Sequence, residues 1–255
     1  MIVFSDVDGT LLDRDTYSHA QAAPAIAQLR ANGIPLVLVT SKSRAEVEAL
    51  REKLGNTDPY IVENGAAAVM PGGADLLFGT TAAAARAALR QAAGTAGVRV
   101  RGFSEMPIEE VCDRTGLPAA AAALASRREY GEPFVMLEGA PEPLREALSA
   151  LGFQLTLGGR FYHVLGGCDK GRAVRAVAER LGDADTAGLG DAPNDASFLG
   201  VVRWPILMPS PHLETMRQLL PYARIAPQPG PAGWNLAVLE LLSGTLSGEA
   251  AEKRD

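Results

Sequence analysis

Two cysteines among 255 residues leave no material for a disulfide framework, and Cys112 and Cys168 match no metal-ligand or redox spacing. Reduced thiols suit a reducing compartment, so a cytoplasmic protein is expected. The chain also lacks an excess of positive charge: its formal net charge is −6. That excludes a general nucleic-acid binder, whose phosphate contacts need a basic surface. No apolar run approaches the roughly 20 residues of a membrane span. The chain opens on Met1-Ile2-Val3-Phe4 with no basic segment before it, so neither export nor insertion in a membrane is expected. With 47% hydrophobic and 21% charged residues, extensive disorder is excluded too. What remains is a chain long enough for a large core plus a smaller module.

Short β-rich runs alternate with helical patterns from the start: Ile2–Phe4, a helix over Pro24–Ala31, Ile34–Thr40, a helix from Arg44, then Tyr60–Glu63. Such alternation predicts a parallel sheet covered by helices. Ser43 and Glu46 form a capping box, Val47, Leu50 and Leu54 share one face, and Gly55 marks the stop. The rhythm returns late, with a helix over Arg172–Leu181, strands at Thr186–Leu189 and Arg203–Met208, and helices at His212–Leu220 and Gly233–Leu242. Between about Thr80 and His163 it changes to an Ala-rich helix, a strand Arg99–Phe103, two further helical stretches, and strands at Phe134–Glu138, Phe153–Leu157 and Arg160–Leu165. This middle stretch reads as an inserted module bordered by Pro71-Gly72-Gly73 and Gly166-Gly167.

Four places carry chemistry. Asp6-Val7-Asp8-Gly9-Thr10 follows the first strand directly, and alternate residues of an extended chain point the same way. Asp6 and Asp8 therefore address one centre, one carboxylate to attack and one to move protons; an Asx-type turn is the other reading. Thr40 closes an apolar strand, which also suits a polar loop before a helix cap. Lys170, in Asp169-Lys170-Gly171, opens a periodic helix, where a solvent-facing lysine is the ordinary reading. Gly190-Asp191-Ala192-Pro193-Asn194-Asp195 is an acidic loop after a short strand, or simply a turn.

Together and in this order, the four resemble the motifs of the haloacid dehalogenase superfamily of phosphatases and phosphomutases. The resemblance implies an α/β fold: a Rossmann-like parallel-sheet core with helices on both faces plus an inserted α/β cap of the C2B type. It implies a core of residues 1–80 and 165–255 and a cap of residues 81–164 that sets substrate specificity. It also implies Asp6 as covalent nucleophile, Asp8 as acid and then base, and Thr40, Ser41 and Lys170 around the phosphoryl group. Mg²⁺ is the implied cofactor, with Asp6, the Asp8 carbonyl and Asp191 as ligands and Asn194 and Asp195 as ligands or orienting partners.

A narrower resemblance is carried by Thr40-Ser41-Lys42-Ser43-Arg44, Ile61-Val62-Glu63-Asn64-Gly65, Arg101-Gly102-Phe103, Arg128-Glu129-Tyr130-Gly131-Glu132-Pro133-Phe134, Gly159-Arg160-Phe161-Tyr162-His163 and Gly233-Trp234-Asn235. These are similar to the mannosyl-3-phosphoglycerate phosphatases. The implied partner is a small phosphorylated sugar or glycerate, with Lys42, Glu63, Asn64, Arg101, Arg128, Arg160 and His163 as candidate substrate ligands. Arg suits the substrate carboxylate through its two-pronged donor fork. Ser104-Glu105-Met106 and Gly131 depart from the family pattern inside the specificity module. Another sugar-phosphate phosphatase, including one for the glucosyl analogue, a phosphomannomutase-like transferase and an inactive binding module of the same fold are the competing readings. Oligomeric state is left open.

Overall fold

The structure, a computed structural model, describes residues 1–158, 161–182 and 185–244. It divides into two compact units, Met1–Leu38 with Ala178–Asp255, and Val39–Val177. The second unit thus takes in segment 39–80 along with the expected insert 81–164.

In the first unit, parallel strands run in the order Arg224–Ile225, Trp204–Leu207, Thr186–Gly190, Ile2–Ser5 and Leu36–Val39, the last crossing the unit border. Every residue of Ile2–Ser5 and Thr186–Gly190 is buried, as strands covered on both faces require. The strand expected from Ile34 begins only at Leu36. Ile34 instead donates its N–H back to Leu29 at the end of helix Ala23–Ala31, and Pro35 has no N–H to give, although its carbonyl accepts from Val3. Helix Gly230–Leu242 packs Trp234 with no exposure, and the indole donates to Ser5 Oγ at 2.9 Å. Ser5 Oγ in turn donates to the Asp6 carbonyl at 2.7 Å. Asn235 accepts from the N–H of Ala25, one of the orphan donors at a helix start. Gly233-Trp234-Asn235 therefore braces the end of the first strand.

The second unit opens with helix Arg44–Leu54, whose Ser43–Glu46 capping box and left-handed Gly55 are both present. Strands Tyr60–Val62, Ala67–Val69 and Leu76–Leu77 pair antiparallel. These three belong to the same eight-stranded sheet as Leu36–Val39, whereas a separate four-stranded antiparallel sheet has the order Arg99–Gly102, Glu132–Glu138, Tyr162–Leu165, Gln154–Leu157. Side chains alternate across it. Phe134, Leu155 and Val164 face helices Ala82–Ala96 and Pro141–Ala150, where Leu144 and Leu148 are fully buried. Each such leucine contributes about 1.5–3 kcal/mol. On the other face Val135 and Phe161 pack with Phe103, Met106, Val111 and Ala122. Helix Pro141–Ala150 goes beyond the expected elements; Pro141 at its first turn and the Leu144–Leu148 spacing are its signal. Among the described residues, no helix is long and apolar enough to cross a membrane.

Candidate active site

Asp6 leaves strand Ile2–Ser5 and Asp191 leaves its parallel neighbour Thr186–Gly190, with Ser5 opposite Leu189. Two adjacent parallel strands deliver their following residues to one edge of the sheet, where ligands of such sheets bind. The Asp6 N–H donates to the Leu189 carbonyl at 2.9 Å, which locks the two ends together. Asp195 follows on the turn Pro193–Asp195, and one of its oxygens accepts the N–H groups of Asp191 and Ala192, both at 3.0 Å. Gly9 sits at φ +79°, and a Cβ there would come within 2.8 Å of Asp191 Oδ2. The Asp-Gly turn is thus needed for the close approach of the first loop to Asp191.

The result is a cluster of Asp6, Asp191 and Asp195, each 7% exposed or less, offering one oxygen apiece within 4.8 Å of the others. Three buried carboxylates this close repel one another unless positive charge lies among them. Ligands about 2.1 Å from an octahedral Mg²⁺ lie about 3–4.2 Å apart, so the donor set fits a hard divalent cation. Asn194 is half-buried on the same turn, and Asp8 is half-buried two residues beyond Asp6. Sequence reasoning passes over Arg14, whose guanidinium donates to Asp191 Oδ2 at 2.6 Å while its side chain is 47% exposed. Nothing in the pattern around Arg14 signals a partner 177 residues away.

In the second unit Thr40 follows strand Leu36–Val39 and is 1% exposed; its hydroxyl accepts from the Lys42 N–H at 3.2 Å. Lys42 Nζ lies 3.6 Å from Glu46 Oε1. Lys170 is the first residue of helix Lys170–Leu181 and is buried. Its helix start packs directly on the turn Glu63-Asn64-Gly65: a Cβ at Gly65 would overlap the Asp169 carbonyl and lie 2.7 Å from Lys170 N. The strand expected through Glu63 ends at Val62, because Glu63 and Asn64 take left-handed φ values of 47° and 60°.

The candidate substrate ligands divide. Asn64 is 3% exposed, and Glu63 is fully buried with its carboxylate turned onto backbone N–H groups of 129–131. Arg128 is 5% exposed and donates to the Ser41 carbonyl. Arg101 pairs with Glu110 at 2.8 Å. Arg160 lies outside the described residues. Ser104, in the departing Ser104-Glu105-Met106, donates twice to the buried Glu132, whose pKa burial raises. Cys168 is buried, and that burial pushes its thiol pKa up to about 12.

His163 is neutral in the fold. Burial first, then the positive charges of Arg128 and Lys170, lower its pKa from 6.5 to about 3. Below pH 6.5 the unfolded chain takes up a proton that the folded one refuses, so stability falls as pH drops toward 3. Acidification from pH 6.5 to 5 is expected to cost up to roughly 2 kcal/mol through this one group. Urea unfolding at the two pH values checks it: His163→Gln loses less than the wild type, and an equal loss in both contradicts the assignment.

Residues 3–79 and 66–200 each match a family model described as haloacid dehalogenase-like hydrolase. The glucosyl-3-phosphoglycerate/mannosyl-3-phosphoglycerate phosphatase of Persephonella marina is 37% identical over 95% of this chain and 97% of its own. The mannosyl-3-phosphoglycerate phosphatase of Pyrococcus furiosus is 32% identical over 81% of this chain and 90% of its own. Among solved structures, a sugar phosphatase of haloacid dehalogenase subclass IIB aligns with a TM-score of 0.68 at 17% identity, covering 94% of this chain and 98% of that one. At that identity the likeness carries the fold, an α/β Rossmann-like core with helices on a mixed, largely parallel sheet.

Proposed function

The chain belongs to the haloacid dehalogenase-like hydrolases and is a phosphatase, and from that premise we propose that it hydrolyses a 3-phosphoglycerate glycoside, mannosyl or glucosyl, with Asp6 as nucleophile. The observation that carries the chemistry is the buried cluster Asp6, Asp191 and Asp195 at the strand ends. The names of the relatives carry the substrate. Mg²⁺ held by that cluster, with the Asp8 carbonyl and Asn194 as further partners, supplies the positive charge that lets an anionic carboxylate approach an anionic ester.

Asp6 attacks phosphorus and the bond to the leaving alkoxide breaks, while Asp8 gives that oxygen its proton. Asp8 then takes a proton from the water that hydrolyses the aspartyl-phosphate, which frees phosphate and regenerates Asp6. Thr40, Ser41 and Lys170 hold the phosphoryl oxygens as charge develops on them. Residues 1–80 and 165–255 act as catalytic core and 81–164 as the specificity cap. Lys42, Asn64, Arg101, Arg160 and His163 are the candidates for reading the sugar and glycerate.

The test is phosphate release in Mg²⁺ from mannosyl-3-phosphoglycerate, its glucosyl analogue, mannose phosphates and trehalose or sucrose phosphates. The glycosylated phosphoglycerates are expected to have the highest kcat/KM, and EDTA is expected to silence turnover until Mg²⁺ is restored. Preference for mannose phosphates overturns the substrate assignment. Activity undiminished in EDTA overturns the role of the acidic cluster.

A further inference from the structure

Three successive residues, Glu63, Asn64 and Gly65, have φ values of 47°, 60° and 91°. For non-glycine residues this conformation costs about 1–2 kcal/mol each. The turn gains from it a direction for its N–H groups. In a strand successive N–H groups point opposite ways; here Asn64 donates to the Thr40 carbonyl at 2.9 Å and Glu63 to the Lys42 carbonyl at 3.0 Å. The carbonyl between them, that of Ser41, accepts from Arg128 at 2.8 Å. All three carbonyls of Thr40-Ser41-Lys42 are therefore held. Because the peptide group is planar, holding a carbonyl also aims the N–H of the next residue.

The guanidinium that completes the set is itself fixed. Arg128 Nε lies 3.5 Å from Glu63 and Nη1 3.7 Å from Glu46. Glu46 is the capping-box acceptor for the Ser43 N–H at 2.8 Å. Glu63 receives the N–H groups of Glu129 at 2.7 Å, Tyr130 at 3.2 Å and Gly131 at 2.8 Å, which anchors the segment bearing Arg128. A Cβ at Gly131 would lie 3.3 Å from the Val164 carbonyl and 3.5 Å from Glu63 Oε2, so the segment passes close over this carboxylate. Arg128 thus spends Nη2 on the Ser41 carbonyl while its charge lies between the carboxylates of Glu46 and Glu63.

We propose that Glu63 and Arg128 are positioning residues that hold the Thr40-Ser41-Lys42 loop in shape to bind a phosphoryl group. This rests on the phosphatase reading of the preceding subsection. The probe is inorganic phosphate, whose affinity is measured by calorimetry in Mg²⁺, beside kcat and KM on mannosyl-3-phosphoglycerate. Arg128→Ala is expected to weaken phosphate binding about tenfold and lower kcat by about tenfold or more, since a small misplacement of binding groups is costly to rate. Added guanidinium recovers part of both. Arg128→Lys, which keeps the charge but not the fork, and Glu63→Gln shift both readouts in the same direction. Should Arg128→Ala melt below the assay temperature, Arg128→Lys decides by the same two readouts. Unchanged phosphate affinity and kcat with a raised KM would make Arg128 a substrate ligand and overturn the proposal. A wild-type protein that neither binds phosphate nor releases it fails one step earlier, at the phosphatase reading.

Discussion

Asp6→Asn protein is expected to fold as the wild type does and to release phosphate at least about a thousandfold more slowly, the scale of loss seen when a nucleophile is removed. The amide keeps the shape of the carboxylate. Two of the bonds that place residue 6 are made by its backbone, through the N–H to Leu189 and the carbonyl from Ser5 Oγ, and the substitution leaves both intact. A neutral amide, however, is a poor nucleophile and a weaker cation ligand. It also relieves repulsion with Asp191 and Asp195, which stand within 4.8 Å. In EDTA the melting temperature of the variant is therefore expected to equal or exceed that of the wild type, while the stabilisation gained on adding Mg²⁺ shrinks. Retention of a tenth of the wild-type rate would remove Asp6 from the nucleophile's role.

The second large effect falls on stability. Gly65→Ala meets two penalties at once: a left-handed φ of 91° that alanine resists, and a Cβ driven into the Asp169 carbonyl at the start of the Lys170 helix. Strain of about 1–2 kcal/mol and overpacking of about 1–3 kcal/mol together make roughly 2–5 kcal/mol. For a chain of this length that lowers the melting temperature by roughly 4–20 °C. Gly72→Ala is the internal control, because Gly72 has φ +76° but no atom within 4 Å of the place its new methyl group would take. It bears the backbone penalty alone. Equal losses for the two variants would mean that the close packing of Gly65 on residues 169 and 170 carries no weight.

The elements were legible where neighbours in sequence decide the structure. Ser43, Glu46 and Gly55 announce helix Arg44–Leu54 because a cap and a stop are made within one helical turn of the ends they satisfy. The continuous apolar runs announce buried parallel strands for an equally local reason. Strand ends were less legible. Glu63 is an ordinary strand residue by pattern, and its left-handed backbone exists because its N–H and carboxylate both find partners, one on Lys42 and three on 129–131.

The site divides in the same way. Asp6, Asp191 and Asp195 could be named from their motifs, since a carboxylate just past an apolar strand is delivered to the sheet edge by strand geometry. Arg14 on Asp191 could not, nor could Arg101 on Glu110, because long cationic side chains reach many partners and the pattern records none of them. What the sequence by itself determined was the family, through four motifs in their order, and the succession of strands and helices that carries them. What only the tertiary structure decided was the work of Glu63, Arg128 and His163, whose charge and bonding depend on groups brought against them from distant parts of the chain. Burial turns each of these from a surface polar residue into a group whose partners must be supplied by the fold.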